Sequence, residues 1–316
     1  MNDLAAAFHF PQITELHRTR IHTTCTLLKA SAPSPLDLVH PALTYALTHH
    51  CLEGAEHAAR QSDSQRFCWY RTALSQPPGS WFEPTPHGLI VIQAPPSNQM
   101  LRSTLSETPY YLLGPDTQPA PPELTDLVTA ALDMAHQCGF GGLVGGHAPI
   151  VCLLKGKEPT DTFDSWTLSR LPGTVFLDYT TDPYLLARDI IHEAGHNWLN
   201  DALNATGAVI RDTARYFSPW KQATRPAFGF LHACWAFPLT MLFGAAVCNK
   251  SETPPATRHR LTTYLRQQRS KLRATTIDHQ HALTLIEDRE LRDRLREIHR
   301  AASHFDDPGR DNRQPA

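Results

Sequence analysis

The chain has 316 residues with 41% apolar content, which suffices for one large domain or two modest ones. Its formal net charge of -2 gives no electrostatic basis for binding nucleic acid or an anionic membrane surface. Its seven cysteines include no C-x-x-C pair, so neither a disulfide framework nor a cysteine-zinc site is expected, and reduced thiols in the cytoplasm fit best.

The first part of the chain is expected to be helical. Residues 1–75 carry apolar side chains at helical spacing, with one helix within residues 4–28 and another that opens at residue 35. The N-terminus has neither the basic start nor the long apolar run of a signal peptide. Residues 76–86 are rich in Pro and Gly and predict a loop, and residues 88–93 predict a buried strand.

A proline-rich connector at residues 115–122 marks the predicted boundary between two regions. Residues 1–120 would form a helical N-terminal region with a short strand, which is a candidate for peptide recognition. Residues 121–304 would form a metal-binding catalytic region that ends in helices. Residues 305–316 are polar and are predicted to be a disordered tail.

Helices and strands alternate in the middle of the chain. Residues 124–138 predict an amphipathic helix, and residues 149–154 and 174–178 predict strands. The glycine-rich run at residues 139–147 lacks Gly-Lys-Ser/Thr, so a plain turn is expected rather than a phosphate-binding loop. Asp182 and Pro183 predict the start of a long helix that should end near Gly207.

This long helix carries an H-E-x-x-H motif, His192-Glu193-Ala194-Gly195-His196. Residues four apart share one face of a helix, so the two imidazoles can converge on a metal ion with Glu193 beside them. Apolar neighbours such as Ile191 and Trp198 would bury these polar groups. Burial favours a bound partner over two histidines that merely pack in a core.

The uncharged run at residues 227–248 is long enough to cross a membrane. Because it contains the polar His232, which needs an internal partner, a buried core helix is expected instead. Two charged amphipathic helices should follow, over residues 257–275 and 279–303.

The motif supplies two metal ligands, whereas a catalytic metal commonly has three from the protein. The metzincin extension fails, because Leu199 and Ala202 stand where Gly and His are required. A gluzincin site is also weak, since no glutamate occurs between Glu193 and Glu252.

His232 is the candidate third ligand. It is the only histidine between His196 and His259, and its surroundings are apolar and predicted to be helical. A buried imidazole needs a partner, and an incomplete metal site would provide one. Asp201 and Asp212 remain as carboxylate alternatives.

Two basic residues, Lys221 and Arg225, precede His232. Arg225 is followed by a proline, which favours extended backbone, and its guanidinium can bind a carboxylate through two hydrogen bonds. The alternative is that both are ordinary surface charges.

Three histidines and a glutamate fit two chemistries, and the residues alone leave both open. With zinc, Glu193 would be the general base that activates water for peptide hydrolysis. With ferrous iron, three protein ligands leave positions for a 2-oxo acid and dioxygen, and Arg225 would bind the distal carboxylate of 2-oxoglutarate. A non-enzymatic peptide-binding protein on a vestigial site is a third hypothesis.

An ordered set of motifs covers residues 169–237: Ser169-Arg-Leu-Pro-Gly173, the H-E-x-x-H motif, Ser218-Pro-Trp-Lys221, Arg225-Pro226 and Gly229-Phe-Leu-His232. In this order they resemble the H-E-x-x-H-type 2-oxoglutarate-dependent peptide β-hydroxylases, which modify ribosomally made peptides. The resemblance implies Fe(II) as cofactor, with 2-oxoglutarate and dioxygen as cosubstrates. It also implies a precursor peptide as the substrate, hydroxylated at a side-chain β-carbon.

The resemblance assigns His192, His196 and His232 to the metal. Glu193 is the candidate catalytic residue, but hydrogen abstraction in such an enzyme does not require it. It would then be a further ligand, an orienting group or a substrate contact.

The resemblance also points to cosubstrate contacts between the two helices. Arg225 matches the position expected to bind the 2-oxoglutarate carboxylate, and Lys221, Ser218 and Tyr216 are further candidates. Lys221 stands where the family pattern is expected to have arginine, so the charge is kept but the bidentate fork is lost.

The expected fold is therefore α+β and predominantly helical, with few strands and a metal-binding helix of zincin-like local geometry. The expected function is that of a cytoplasmic, 2-oxoglutarate-dependent peptide β-hydroxylase (a dioxygenase). A zinc metallopeptidase with Glu193 as general base is the alternative.

Overall fold

The computed structural model describes residues 4–30, 40–76, 82, 84–102, 108–211 and 213–304. Within these residues the chain is mostly helical, with ten α-helices and a few short strands, so the predicted α+β class is confirmed. The predicted tail at residues 305–316 and the predicted helix start at residue 35 lie outside the described residues.

The helices and strands have the following bounds. The α-helices are α1 (Pro11–Leu28), α2 (Pro41–Arg60), α3 (Ser64–Leu74), α4 (Pro122–Gln137), α5 (Gly141–His147), α6 (Pro183–Ala205), α7 (Ala227–Cys248), α8 (Pro255–Ala274), α9 (Thr276–Leu283) and α10 (Arg289–Ser303). The strands are β1 (Ile90–Gln93), β2 (Leu101–Arg102), β3 (Pro109–Tyr110), β4 (Ile150–Gly156), β5 (Ser165–Trp166), β6 (Thr174–Tyr179), β7 (Arg215–Ser218) and β8 (Ala223–Pro226). Two short 3-10 helices lie at Ala5–Phe8 and Ser97–Gln99.

A four-stranded sheet in the order β1-β4-β6-β5 leads into α6, the helix that carries the H-E-x-x-H motif. Strands β1, β4 and β6 are parallel, and the edge strand β5 is antiparallel to β6. Alternate side chains point to opposite faces, so Val151 and Leu153 join one hydrophobic core while Ile150 and Cys152 join another. Helices α4 to α7 cover the first face and α2 covers the second, which explains the continuous apolar sequence of β4 and β6.

Helix α7 is apolar on every side. It packs against α6, α8, α10 and the β7–β8 hairpin, and 17 of its residues are buried. It is the one helix in the described part of the chain that is long and apolar enough to cross a membrane, and most of it is buried inside the protein. The prediction that this run forms a buried helix is therefore confirmed.

The prediction of a plain turn at residues 139–147 is wrong. Most of this run forms α5, in spite of its four glycines. Phe140 and Leu143 are fully buried in the larger core, and this packing offsets the low helix propensity of glycine.

The single helix predicted over residues 279–303 is also wrong, because the structure has two helices, α9 and α10. A new helix begins at Arg289, where the Asp288 side chain accepts a hydrogen bond from the backbone N–H of Leu291 at 2.8 Å. Such an N-cap stabilises the first turn of a new helix. The surrounding charged residues give no local signal that separates Asp288 from its neighbours.

The division into two regions near residue 120 stays a prediction. Strand β1 comes from the first region, and it pairs along its length with β4 of the second, beginning with Ile90 opposite Ile150. The sheet therefore joins segments from both sides of that boundary.

Candidate metal centre

Helix α6 begins and ends where the sequence predicts. The Asp182 side chain accepts hydrogen bonds from the backbone N–H groups of Tyr184 and Leu185 at 3.0 and 3.4 Å, and Pro183 occupies the first helical position. Gly207, with a φ of 66°, follows the helix and ends it. This fixed start sets which side chains of α6 face α7.

Three imidazoles from α6 and α7 lie against one another. The Nε2 atoms of His192 and His196 are 3.2 Å apart, and Nδ1 of His196 is 3.0 Å from Nδ1 of His232. Two nitrogens bound to one ion at about 2.0–2.1 Å lie roughly 3 Å apart, so the first pair has ligand spacing. His232 meets the other nitrogen of His196, so one ring must rotate before all three face a single ion.

A glycine brings α7 close to α6 beside these histidines. A β-carbon on Gly195 would lie 2.8 Å from Cδ1 of Leu239, closer than real side chains approach. The Nε1–H of Trp235 donates a hydrogen bond to the Gly195 carbonyl at 2.9 Å. The middle of the H-E-x-x-H motif is therefore a packing position that controls how near His232 can come.

Glu193 is buried beside the histidine pair. Its Oε1 accepts a hydrogen bond from the Ser165 hydroxyl at 2.7 Å, and its Oε2 has no hydrogen-bond partner among the described residues. Burial raises the pKa of Glu193 to about 8, and the Ser165 hydrogen bond opposes that rise. Ligand atoms of His192, Glu193 and His196 all lie within 4.8 Å of one another.

Burial keeps the three histidines neutral. It lowers the pKa of His192 to about 3, with a further contribution from the positive charges of Arg188 and Lys221. It also holds the pKa values of His196 and His232 well below the ordinary range. A neutral imidazole has a lone pair available for a metal, so these groups are in the protonation state that binding requires.

The candidate centre opens into a cavity of about 900 Å³. Residues 163–169, which include the edge strand β5, form one wall. The rings of Trp220 and Phe237 stack with centroids 4.7 Å apart on another, and Phe228 at the rim is 43% exposed. This size accommodates a small molecule together with part of a larger one.

The predicted cosubstrate contacts divide into two groups. Lys221, Arg225 and Ser218 line the cavity, and Ser218 Oγ is buried without a hydrogen-bond partner in the described part of the chain. Neither basic residue forms an ion pair with a described residue. Tyr216 is not among the lining residues, and its ring packs instead against Phe230 at 5.1 Å.

Arg188 and Ser165 are among the polar residues of the cavity that sequence reasoning missed. Arg188 lies one helical turn before His192, and its guanidinium pairs with both carboxylate oxygens of Asp189 at 2.8 and 2.9 Å. The four-residue spacing from His192 was a usable signal for Arg188. Ser165 lies on a two-residue edge strand, and no pattern in the sequence marks it as a partner of Glu193.

Asp201 and Asp212 are the carboxylate alternatives for the third ligand, and Asp201 is not among the residues that line the cavity. Asp201 points away from the cavity and belongs to a second group of close ligand atoms, with His17 and His147. Asp212 lies outside the described residues. The described residues thus include histidine and carboxylate groups in two places that could bind a metal ion.

Comparisons of the chain with models of known protein families and with curated proteins found no match.

Proposed function

We propose that the protein is an Fe(II)- and 2-oxoglutarate-dependent oxygenase that hydroxylates a side-chain β-carbon of a ribosomally synthesised precursor peptide. The ordered motifs over residues 169–237 suggest it. The observation that carries it is the pair of basic side chains, Lys221 and Arg225, which face the histidine cavity without an acidic partner among the described residues.

The donor set fits ferrous iron. Three neutral imidazoles and a carboxylate are ligands that Fe(II) accepts, and both His232 Nε2 and Glu193 Oε2 are buried without a partner in the described part of the chain. A buried polar atom without a partner costs free energy that a bound ion would recover. When bound, iron would supply dioxygen activation coupled to decarboxylation of 2-oxoglutarate, with one oxygen atom entering the peptide and the other entering succinate as CO₂ leaves.

Lys221 and Arg225 would bind the distal carboxylate of 2-oxoglutarate. Arg188 is unsuitable, because its Nε and Nη2 atoms already donate hydrogen bonds to the Asp189 carboxylate. Arg225 has no such partner among the described residues and can make a two-pronged contact, and Lys221 adds a point charge. Ser218 Oγ, which is buried and unpaired among the described residues, can donate a further hydrogen bond.

The remaining space suits an extended peptide. Strand β5 is at the edge of the sheet and lines the cavity, so one side of its backbone can pair with an added strand. The stacked rings of Trp220 and Phe237 and the exposed Phe228 offer apolar contacts for a side chain. These groups would hold the peptide while the histidines hold the metal.

Calorimetry on anaerobic, Fe(II)-loaded protein tests the cosubstrate site directly. A charged hydrogen bond contributes about 1.5–3 kcal/mol, so Arg225→Met should weaken 2-oxoglutarate binding by roughly 10- to 100-fold. Lys221→Met should weaken it less. Arg215→Met is the matched control, because Arg215 is on the same hairpin but does not line the cavity.

Turnover provides the second test. Fe(II)-loaded protein given dioxygen and 2-oxoglutarate should form succinate, and a candidate peptide should gain one oxygen in mass spectrometry. Protein that binds Fe(II) but forms no succinate with any candidate peptide, or that binds 2-oxoglutarate equally well with and without Arg225, would contradict the proposal.

A zinc peptidase is the second candidate, and Glu193 is the observation that favours it. A carboxylate whose pKa is raised to about 8 and whose Oε2 has no partner among the described residues is a suitable general base near neutral pH. This alternative predicts that zinc supports peptide cleavage and that Glu193→Gln abolishes it. Activity that depends on dioxygen would exclude it.

A further inference from the structure

A second group of potential ligands lies on the other side of α6 from the cavity. Nε2 of His17, on α1, is 2.9 Å from Oδ2 of Asp201, on α6. Nδ1 of His147, the last residue of α5, is 3.3 Å from the same oxygen. The three ligand atoms lie within 4.8 Å of one another.

Burial and an unpaired nitrogen distinguish this group from a surface ion pair. His147 and Asp201 are 5% and 2% exposed. Although Nδ1 of His147 is near the Asp201 carboxylate, the two atoms lack hydrogen-bond geometry, and that nitrogen has no hydrogen-bond partner among the described residues. This nitrogen therefore faces the cluster without a hydrogen bond among the described residues.

Neighbouring groups hold each ligand in place. The Asn197 side-chain amide donates to the His147 carbonyl at 2.9 Å. The Tyr45 hydroxyl donates to Oδ1 of Asp201 at 3.3 Å, and its ring stacks on His17 with centroids 3.6 Å apart. Supporting contacts of this kind commonly orient the ligands of a metal site.

The charge of the group suits a divalent cation. A carboxylate placed between two imidazoles offers such a cation both an acidic oxygen and two nitrogen donors.

We propose that His17, His147 and Asp201 bind a zinc ion as its three protein ligands. A donor set of two imidazole nitrogens and one carboxylate oxygen favours zinc over Mg²⁺ or Ca²⁺. Ligands at about 2.0–2.2 Å in a tetrahedral arrangement lie roughly 3.3 Å apart, close to the 2.9 and 3.3 Å between these atoms. The ion would tie α1 to the ends of α5 and α6, and it does not depend on the reaction proposed above.

This site and the histidine cavity are separate. Asp201 follows His196 by five residues on α6, which corresponds to roughly 7.5 Å along the helix and about 140° around it. Each site can therefore bind its own metal ion without sharing a ligand.

Zinc stoichiometry of metal-stripped, reloaded protein tests the proposal. The His192→Gln/His196→Gln variant should retain one tightly bound zinc per chain, and adding His147→Gln should remove it. His50→Gln in the same background is the control, because His50 is fully buried and bonded to Thr174 but belongs to neither cluster. The variant with His50→Gln should retain the zinc. If His192→Gln/His196→Gln itself bound no zinc, the proposal would be overturned.

Anomalous diffraction from zinc-loaded wild-type crystals avoids the risk that a variant fails to fold. A peak between His17, His147 and Asp201 supports the site. Zinc at His192 and His196 alone overturns it and leaves a metal-free His–Asp–His cluster. Zinc should also raise the Tm of the His192→Gln/His196→Gln variant, because a ligand that binds only the folded state stabilises it.

Discussion

Replacing Gly195 by alanine should push α7 away from α6 and weaken metal binding, although Gly195 is not a ligand. The added β-carbon would lie 2.8 Å from Cδ1 of Leu239, which is fully buried and has little room to move. Leu239 lies two helical turns beyond His232 on the same face of α7. A shift of α7 at Leu239 therefore also moves His232, which is 3.0 Å from His196.

The size of the effect follows from that contact. Carbon atoms pack comfortably at about 3.5–4.0 Å, so a separation of 2.8 Å must open by roughly 0.7–1.2 Å. Overpacking of this kind costs about 1–3 kcal/mol, and the better helix propensity of alanine returns about 1 kcal/mol. We expect a net loss of about 0–2 kcal/mol in unfolding free energy. Metal affinity should fall by about tenfold, the lower end of the range for changes just outside the ligands.

Urea unfolding and metal titration of Gly195→Ala measure the two effects. Gly145→Ala is the matched control, because Gly145 is also helical but a β-carbon there meets nothing within 4 Å. The control should be unchanged or slightly more stable and should bind metal normally. If Gly195→Ala bound metal as tightly as the control, the proposed link between helix spacing and the centre would be refuted.

Three further predictions concern α6 and the α7 residue that donates a hydrogen bond to it. Asp182→Ala should lower the free energy of unfolding by about 1–2 kcal/mol through loss of the N-cap, and Asp182→Asn by much less, as measured in urea. The free energy of unfolding of the metal-free protein should fall as pH rises from 4.5 towards 8, because folded Glu193 retains a proton that the unfolded chain releases. Urea unfolding measured at several pH values tests this, and in Glu193→Gln this contribution to the fall should be absent. Trp235→Phe should cost about 1–3 kcal/mol in thermal unfolding, because the hydrogen bond to Gly195 and part of the buried ring volume are lost.

Local sequence signals predicted the elements around the candidate site well. The Asp182 cap, the buried apolar strands and the uncharged run of α7 each depend on short-range physics, such as capping, periodicity and apolar burial. The turn predicted where α5 forms was wrong, because α5 is stabilised by packing of Phe140 and Leu143 in the larger core. The high glycine content of this run indicates a turn and gives no sign of that packing. The split between α9 and α10 was missed because Asp288 looked like one more charge in a charged sequence.

The candidate site was predictable where two histidines share one helix face or where a polar residue interrupts an apolar run. Histidines four residues apart necessarily share a face, and His232 stood out as a polar residue in an apolar run. Ser165 reaches Glu193 only because β5 pairs at the edge of the sheet, and His17 reaches Asp201 across 184 residues of chain. Such contacts depend on tertiary structure that no local pattern encodes.

The all-round burial of α7 has a consequence for biosynthesis. One of its neighbours, α6, is translated before it, but α8 and α10 are translated after it. A nascent chain that ends near residue 250 therefore carries an apolar helix with two uncovered sides, which makes it prone to aggregation. We expect chains truncated after Cys248 to require chaperone binding, and the full chain to become independent of it once α10 has left the ribosome.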